Sequence, residues 1–263
     1  MSIMITEELK NLMQKYFDDF SDKRNNSELQ RFIVDNSFPI VWFGDLEQYK
    51  NSKIKIITVG LNPSWHEFLK DKSGTREIRF PKMSNFKEDL AMENIEQISQ
   101  SLCSYFDNNP YKPYFSSFEN ALINLLGASY GGKIVGLPAD NIAIHADIFS
   151  AIATKDLWSD LGHAQSEFKR IDLFKNSLDY LSPKVIMVSI GKAYCDAWKA
   201  LGVNPYTDDD LLKGKYHGEI EAYRYNGRIV IYGRNRQRPF AVSDIILEKA
   251  SDKIIQEVYG ASR

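Results

Sequence analysis

The sequence predicts a three-layer α/β/α fold with a central, mainly parallel sheet of about four strands. Apolar strand candidates alternate with amphipathic helix candidates along the chain, and this order is typical of a parallel sheet that is covered on both faces. No internal repeat, low-complexity linker or break in composition marks a second domain. We therefore expect residues 1–263 to form a single α/β domain, with 1–37 as an N-terminal helical extension.

The helix candidates share apolar residues at helical spacing. They are 6–22, a short helix from 27, 86–106, 115–126, 165–180, a helix from 191 through Trp198, and 241–258. The strand candidates are rich in β-branched residues. They are 54–59, 141–147, 183–190 and the hairpin 220–225 and 228–232, which turns at Asn226-Gly227. An extended segment is expected at 38–45 and a polar, mobile loop at 66–82.

Composition excludes several classes of protein. The chain is 43% hydrophobic and 26% charged, as in an ordinary globular domain. No run approaches the roughly 18 apolar residues of a membrane helix, and the N-terminus lacks the pattern of a secretory signal, so we expect a cytoplasmic protein. Cys103 and Cys195 stand far apart and the four histidines lack metal-ligand spacing. We expect no disulfide, metal, iron–sulfur cluster or other cofactor.

Two basic clusters interrupt a chain whose formal net charge is only −2. One contains Arg76, Arg79 and Lys82. The other contains five arginines between Arg224 and Arg238, with no acidic residue among them. This pattern fits an enzyme that holds a polyanion along one face, although solvated surface loops would have the same composition.

Polar residues follow the predicted strands. In open parallel sheets, ligands bind beyond the carboxyl ends of the strands. The ends here are Gly60-Leu61-Asn62-Pro63, His145-Ala146-Asp147, Gly191-Lys192 and Tyr232-Gly233-Arg234-Asn235-Arg236. Any one of them has an ordinary structural explanation, such as an Asn-Pro turn after a strand, but their convergence predicts a binding site at this edge.

These motifs resemble the uracil-DNA glycosylase superfamily. Gly60-Leu61-Asn62-Pro63 is similar to the motif after the first core strand in the mismatch-specific and single-strand-selective branches. Residues 183–193 resemble the family's third strand with its glycine-initiated helix, and 141–154 take the place of the second strand, whose end reads the flipped base. The resemblance covers roughly residues 38–250 and implies a DNA glycosylase, with Asn62 orienting the attacking water.

The chain departs from the family in two places. The last-strand loop, which carries a His-Pro-Ser-type motif in the family, here contains Arg234, Asn235, Arg236 and Arg238 and no histidine.

The second departure concerns the base-reading asparagine of the family, which is replaced here by Asp147, or by His145 in a shifted register. A carboxylate only accepts hydrogen bonds, which suits the N4 amino group of cytosine. We therefore expect a monofunctional enzyme that excises a modified cytosine, such as one with a bulky 5-substituent.

The resemblance assigns the remaining expected roles. Arg234 or Asn235 would donate to the base as charge builds on it, in place of the histidine. Phe80, or else Trp65, would stack on the flipped base, although core packing explains either ring equally well. The residues expected to hold DNA phosphates are Arg76, Arg79, Lys192, Arg236 and Arg238.

Three other functions stay open from sequence. One is a uracil or mismatch repair glycosylase, and another is a catalytically inactive, glycosylase-like protein that only binds nucleic acid. A third is a nucleotide-binding α/β protein, against which the lack of GxGxxG and GxxxxGK[ST] motifs counts. We expect DNA as the partner, no membrane association, and a monomer.

Overall fold

The computed structural model describes residues 5–71, 73–83, 94–134, 139–194, 204–205, 220–233, 240 and 247. The α-helices are α1 (Glu7–Asn25), α2 (Leu46–Asn51), α3 (Ile95–Cys103), α4 (Lys112–Leu126), α5 (Ala164–Phe168) and α6 (Ile171–Leu181). The strands are β1 (Ile56–Gly60), β2 (Ala128–Ser129), β3 (Asn141–Ile142), β4 (Ile144–Asp147), β5 (Val185–Val188), β6 (Asn204–Pro205), β7 (Ile220–Tyr225) and β8 (Arg228–Gly233).

The central sheet confirms the predicted α/β/α class. Its strand order is β4-β1-β5-β8-β7-β6, and β2 pairs with β3 in a separate two-stranded sheet. β1 and β8 each lie parallel to β5, whereas β7 pairs antiparallel with both β8 and β6. β1, β4 and β5 are buried along their whole length, as is typical of the strands of a parallel sheet. β4 and β5, the next two strands of this sheet along the chain, lie on opposite sides of β1. The carboxyl end of β1 is therefore a topological switch point.

Contacts divide the chain into two compact units. Unit 1 contains residues 1–46, 60–111 and 146–182, and unit 2 contains 47–59, 112–145 and 183–263. The boundaries fall inside β1 and β4, whose last residues belong to unit 1. The expected single domain stays a prediction.

Local chemistry explains the elements that the sequence predicts best. Thr6 caps α1 by accepting a hydrogen bond from the Leu9 N–H, and two glutamates in the first turn complement the helix dipole. The β7–β8 turn places Asn226 and Gly227 at φ 46° and 75°. Two successive positive φ values are the signature of a tight hairpin turn, for which Asn-Gly is the preferred pair.

Three expected elements differ from the structure. The strand expected at 141–147 is divided into β3 and β4, because β3 pairs with β2 and the Asn141 side chain accepts a hydrogen bond from Ile54 N. The helix expected at 165–180 is divided at Arg170, whose N–H donates to the Phe149 carbonyl at 2.6 Å. The short helix from 27 is a 3₁₀ turn over Gln30–Phe32.

The loop at 66–82 carries two buried aromatic residues, and its expected mobility stays a prediction. The Phe68 and Phe80 side chains are buried within it. Backbone hydrogen bonds join Lys70 N to Thr75 O and Glu77 N to Phe68 O, so the segment folds back on itself. Apart from Leu247, which is helical, the helix expected over 241–258 lies outside the described residues. The same holds for residues 195–198 of the helix expected from 191, whose residues 192–194 form a 3₁₀ turn, and for the first part of the helix expected at 86–106. No helix among the described residues is long and apolar enough to cross a membrane.

A buried hydrogen bond joins α1 to α6 in unit 1. The Tyr16 and Ser177 hydroxyls lie 2.7 Å apart, and both residues are buried. Burial raises the pKa of Tyr16 well above its ordinary value, so the phenol stays protonated. The N-terminal helix is therefore attached to unit 1 by a specific contact as well as by its apolar face.

We expect Ser177→Ala to lower the free energy of unfolding by about 1–3 kcal/mol, because it leaves a buried phenol without its partner. Tyr16→Phe combined with Ser177→Ala should recover part of that loss, since neither polar group then remains. Urea unfolding of the two single variants and the double variant measures the coupling. Additive losses would show that the contact does not stabilise the protein.

Candidate active site

The segments that follow β1 and β4 are joined by backbone hydrogen bonds in unit 1. The Ile148 N–H donates to Gly60 O at 3.0 Å, and the Phe149 N–H donates to Leu61 O at 2.9 Å. Asp147, the last residue of β4, is 7% exposed. These bonds place Asn62 and Asp147 at the same edge of the sheet, as the sequence predicts for two strand ends.

The Asn62 side chain is held in one orientation. Its amide nitrogen Nδ2 donates to the Pro63 carbonyl at 2.9 Å and to Thr154 Oγ1 at 3.0 Å. The Thr154 hydroxyl proton is directed to Asp156 O at 2.9 Å, so Oγ1 acts as the acceptor toward Asn62. Both partners of Nδ2 are therefore acceptors, which determines which end of the amide is nitrogen. Within the described residues, Oδ1 of Asn62 accepts no hydrogen bond.

Thr154 clamps the Asn-Pro turn, a role that no sequence motif predicts. It is 1% exposed, and its N–H approaches Pro63 O at 3.4 Å. It also forms isolated β-bridges with Ile33 and Ser64. Thr154 thus holds both the backbone and the side chain of the turn, although 92 residues separate it from Asn62.

Glu67 is a buried carboxyl group at the end of the same loop. The chain forms a 3₁₀ turn over Trp65–Glu67, in which the Glu67 N–H donates to Ser64 O at 3.2 Å. The Glu67 side chain is 3% exposed, and its Oε2 accepts a hydrogen bond of 2.6 Å from the Tyr105 hydroxyl. The Tyr111 N–H donates to that same hydroxyl at 2.9 Å, so the phenol proton is directed to Glu67. Oε1 has no hydrogen-bond partner among the described residues.

Burial dominates the acidity of Glu67. It raises the pKa of the carboxyl to about 7, and the negative charge of Asp147 acts in the same direction. The Tyr105 hydrogen bond and the Arg79 guanidinium oppose the rise. Burial and the neighbouring Glu67 keep the pKa of Tyr105 well above its ordinary value, so it remains a donor. The site therefore holds a carboxyl group that exchanges its proton near neutral pH, a property typical of catalytic acids and bases.

Arg79 organises this loop from within. It is 8% exposed, its Nε donates to His66 O at 2.7 Å and its Nη1 donates to Asn109 O at 2.6 Å. Its Nη2 lies 3.6 Å from a Glu77 carboxylate oxygen, and its guanidinium lies over the Tyr111 ring at 5.2 Å. Each of its guanidinium nitrogens is thus engaged inside unit 1, and these contacts do not favour the expected phosphate role.

Trp65, His66 and Tyr111 form a continuous aromatic stack. The Trp65 and His66 ring centroids are 3.7 Å apart, and those of His66 and Tyr111 are 4.6 Å apart. All three rings are partly exposed. Partial burial and the nearby Arg79 charge lower the pKa of His66, so its ring is neutral at pH 7. Trp65, one of the expected base-stacking residues, therefore belongs to a partly accessible stack.

Phe80, the other expected stacking residue, has a different environment. It is 6% exposed and packs against the rings of Phe38, Phe68 and Tyr105, at centroid distances of 5.1, 5.5 and 5.4 Å. Its observed contacts are those of a core residue that supports Tyr105.

His145 is enclosed in the core of unit 2. It is 1% exposed, and its Nδ1 lies 2.8 Å from Thr58 Oγ1. The rings of Phe115 and Phe118 meet it edge-on, at centroid distances of 5.1 and 5.4 Å. The register of β4 therefore makes Asp147, and not His145, the polar residue at the strand end.

The expected phosphate-binding residues are only partly described. The Arg76 guanidinium is exposed and donates to the carbonyls of Asp35 and Asn36 at 3.0–3.3 Å. Lys192 begins a 3₁₀ turn after β5, but its side chain is outside the described part of the structure. Also outside it are Arg234, Asn235, Arg236 and Arg238.

We expect the stability of the protein to fall as pH rises from about 4.5 toward 7, because folded Glu67 keeps a proton that the unfolded chain has lost. At about 1.4 kcal/mol per pKa unit, the rise from 4.5 to about 7 corresponds to roughly 3 kcal/mol. This contribution is complete below pH 4.5 and lost above the folded pKa. Urea unfolding at pH 5 and pH 8 should show that Glu67→Gln removes this pH dependence.

The exposed Glu28 on the same unit supplies the control. Glu28→Gln should retain the pH dependence of the wild-type chain, because it replaces an exposed carboxyl group and leaves Glu67 in place. An identical pH slope in wild type and Glu67→Gln would contradict the burial argument.

No group of three or more His, Cys, Asp or Glu residues in the described part of the chain is arranged to hold a metal ion. The sequence matches no protein-family model, and no curated protein matches it.

Proposed function

We propose that this protein is a monofunctional DNA glycosylase, which flips a base out of DNA and hydrolyses its bond to the sugar. A modified cytosine with a bulky 5-substituent is the proposed substrate, and an abasic site is the product. The observation that carries the proposal is the orientation of Asn62. Its amide nitrogen is anchored on Pro63 and Thr154, while its oxygen is left without a protein donor among the described residues.

An amide oxygen presented in this way is suited to hold a water molecule. A water that donates one hydrogen to Oδ1 of Asn62 has a lone pair free to attack a carbon atom. Breaking the base–sugar bond develops positive charge on the deoxyribose, and a positioned water then completes the hydrolysis. Rigid placement of the reactant supplies much of the rate enhancement in such steps.

Asp147 would read the base. It stands at the edge of the sheet that carries Asn62, and a carboxylate accepts from the N4 amino group of cytosine. Uracil has no such amino group. Its O4, which is also an acceptor, would face the carboxylate. This pairing supports a cytosine-type base over uracil.

A protein that binds nucleic acid without cleaving it is the second candidate. The stack of Trp65, His66 and Tyr111 favours it, because exposed aromatic faces bind unpaired bases irrespective of sequence, at about 1–3 kcal/mol per base. Binding of single-stranded DNA without release of any base would support this candidate over the enzyme.

We expect the purified protein to create alkali-labile sites in DNA that contains a 5-substituted cytosine. Asn62→Ala should slow base release by about 10²-fold or more, because the attacking water loses its positioning group. Gel analysis after alkali treatment, with mass spectrometry of the released base, measures both. The panel includes uracil, a G·T mismatch, plain cytosine and 5-substituted cytosines.

Asn120→Ala is the matched control, since Asn120 is an exposed asparagine on α4. It should excise at the wild-type rate. Release of uracil alone would support a uracil repair glycosylase and reject the modified cytosine as substrate. The absence of any released base across the panel would reject the enzyme.

Thr154 should act on the reaction through Asn62. Thr154→Val keeps the size of the side chain but removes the acceptor of Asn62 Nδ2, so we expect about a 10²-fold loss of single-turnover rate with little change in DNA affinity. Thr154→Ser keeps the hydroxyl and should retain most of the rate. Equal losses of rate in the two variants would contradict this role, because only Thr154→Val lacks the hydroxyl.

A further inference from the structure

We propose that Glu67 is the general acid of the excision step, and that together with Asp147 it selects a cytosine-type base. In this arrangement Oε1 of Glu67 donates a proton to N3 of the flipped base, while the Asp147 carboxylate accepts from the N4 amino group. The inference rests on the proposed function and deepens it, because it names the proton donor and the class of base.

The contacts of Glu67 leave one oxygen for this role. Oε2 is occupied by the Tyr105 hydroxyl at 2.6 Å, whose own lone pair accepts from the Tyr111 N–H. A proton on the carboxyl group therefore resides on Oε1, which has no partner among the described residues. Glu67 is 3% exposed, so this oxygen is largely shielded from bulk water.

Glu67 and Asp147 belong to the same site. Glu67 ends the 3₁₀ turn that follows Asn62-Pro63, and Asp147 ends β4, whose next residue is hydrogen-bonded to Gly60. The negative charge of Asp147 also acts to raise the pKa of Glu67. With its proton, Glu67 provides one donor, and the Asp147 carboxylate provides one acceptor.

That donor and acceptor match the edge of cytosine. N3 of cytosine is an acceptor and N4 is a donor, whereas uracil presents an N3–H donor and an O4 acceptor. A protonated Glu67 would place its O–H against the N3–H of uracil, and Asp147 would face O4. Both contacts are complementary for cytosine and repulsive for uracil. Binding of uracil would therefore leave both carboxyl groups without a hydrogen-bond partner, and this cost discriminates against it.

The protonation also assists the leaving group. The C1′–N1 bond breaks with its electron pair passing to the base, and the proton from Glu67 Oε1 arrives at N3, so the base departs neutral. The water held by Asn62 forms the new C1′–O bond and loses a proton, which returns through solvent to the Glu67 carboxylate. Atoms and charge balance, and no co-reactant besides water is needed.

Several charged and titratable groups surround Glu67 among the described residues. Arg79, Tyr105, Tyr111 and Asp147 all interact with it, and His66 precedes it in the same turn. Burial raises the pKa of Glu67 to about 7, so the acid form is available at neutral pH and is lost above it. The tyrosines stay protonated and His66 stays neutral over that range, so a change in rate there would not come from these three neighbours.

The test is the pH dependence of single-turnover base release from duplex DNA that contains a 5-substituted cytosine. The wild-type rate should fall above about pH 7. Glu67→Gln should lose about 10²-fold or more and show no such fall, because an amide donates a hydrogen bond but transfers no proton. Glu28→Gln should behave as wild type.

Tyr105→Phe separates an acid–base role from a structural one. It removes a hydrogen bond that favours the charged form of Glu67, so the fall in rate should move to higher pH. A merely structural contribution would lower the rate equally at every pH. This shift decides the question even if Glu67→Gln does not fold, which circular dichroism would reveal.

The outcomes distinguish this inference from the function beneath it. If the wild-type chain releases no base from any DNA of the panel, both fail. If it releases a base while Glu67→Gln keeps the wild-type rate and pH profile, only the role of Glu67 fails. Equal rates on uracil and cytosine that carry the same 5-substituent would overturn the selection by Glu67 and Asp147.

Discussion

The hydrogen bonds between the segment after β1 and the segment after β4 are the constraint on which the site depends. They extend the pairing of the two strands beyond the sheet, through Gly60 O and Leu61 O. Pro63 follows two residues later. As a proline it has no backbone N–H, so it leaves no buried donor unpaired. Its carbonyl accepts from both Thr154 N and Asn62 Nδ2. One backbone oxygen thus links the path of the loop to the orientation of its amide.

Glu67 is difficult to explain as a packing residue. Burying a carboxyl group costs free energy, and a side chain that makes one hydrogen bond recovers only part of that cost. The protein nevertheless surrounds the Tyr105–Glu67 pair with support. Phe80 packs against Tyr105, and Phe43 meets the same ring at 4.7 Å. A costly group held rigidly is the arrangement expected where chemistry, rather than stability, determines the residue.

The sequence predicts the parts of the fold whose signal is local. β1, β5 and the β7–β8 hairpin carry unbroken apolar runs or an Asn-Gly turn, and parallel strands place their carboxyl ends at one edge. These local signals are sufficient to predict that Asn62 and Asp147 lie at the same edge of the sheet.

Other parts of the site have no local signal. Tyr105 lies 38 residues from Glu67, and Thr154 lies 92 residues from Asn62. Their roles arise only when the loops pack. The loop at 66–82 is polar on average, and this average does not show that Phe68 and Phe80 are buried. Composition alone places Arg79 among surface charges, because a sequence does not show that carbonyl oxygens and a tyrosine ring surround its guanidinium.

The segment from Asn62 to Glu67 concentrates three different tasks in one turn. Its first residue orients an amide oxygen, its middle presents the aromatic faces of Trp65 and His66, and its last residue buries a carboxyl group. Ser64 connects them, since it bridges to Thr154 and its carbonyl accepts the Glu67 N–H. A shift of Thr154 would therefore move the Asn62 amide and the Glu67 carboxyl group together. In the proposed reaction, hydrolysis and protonation are both aligned on one flipped nucleotide, and a shared anchor would keep the two groups in constant relative positions.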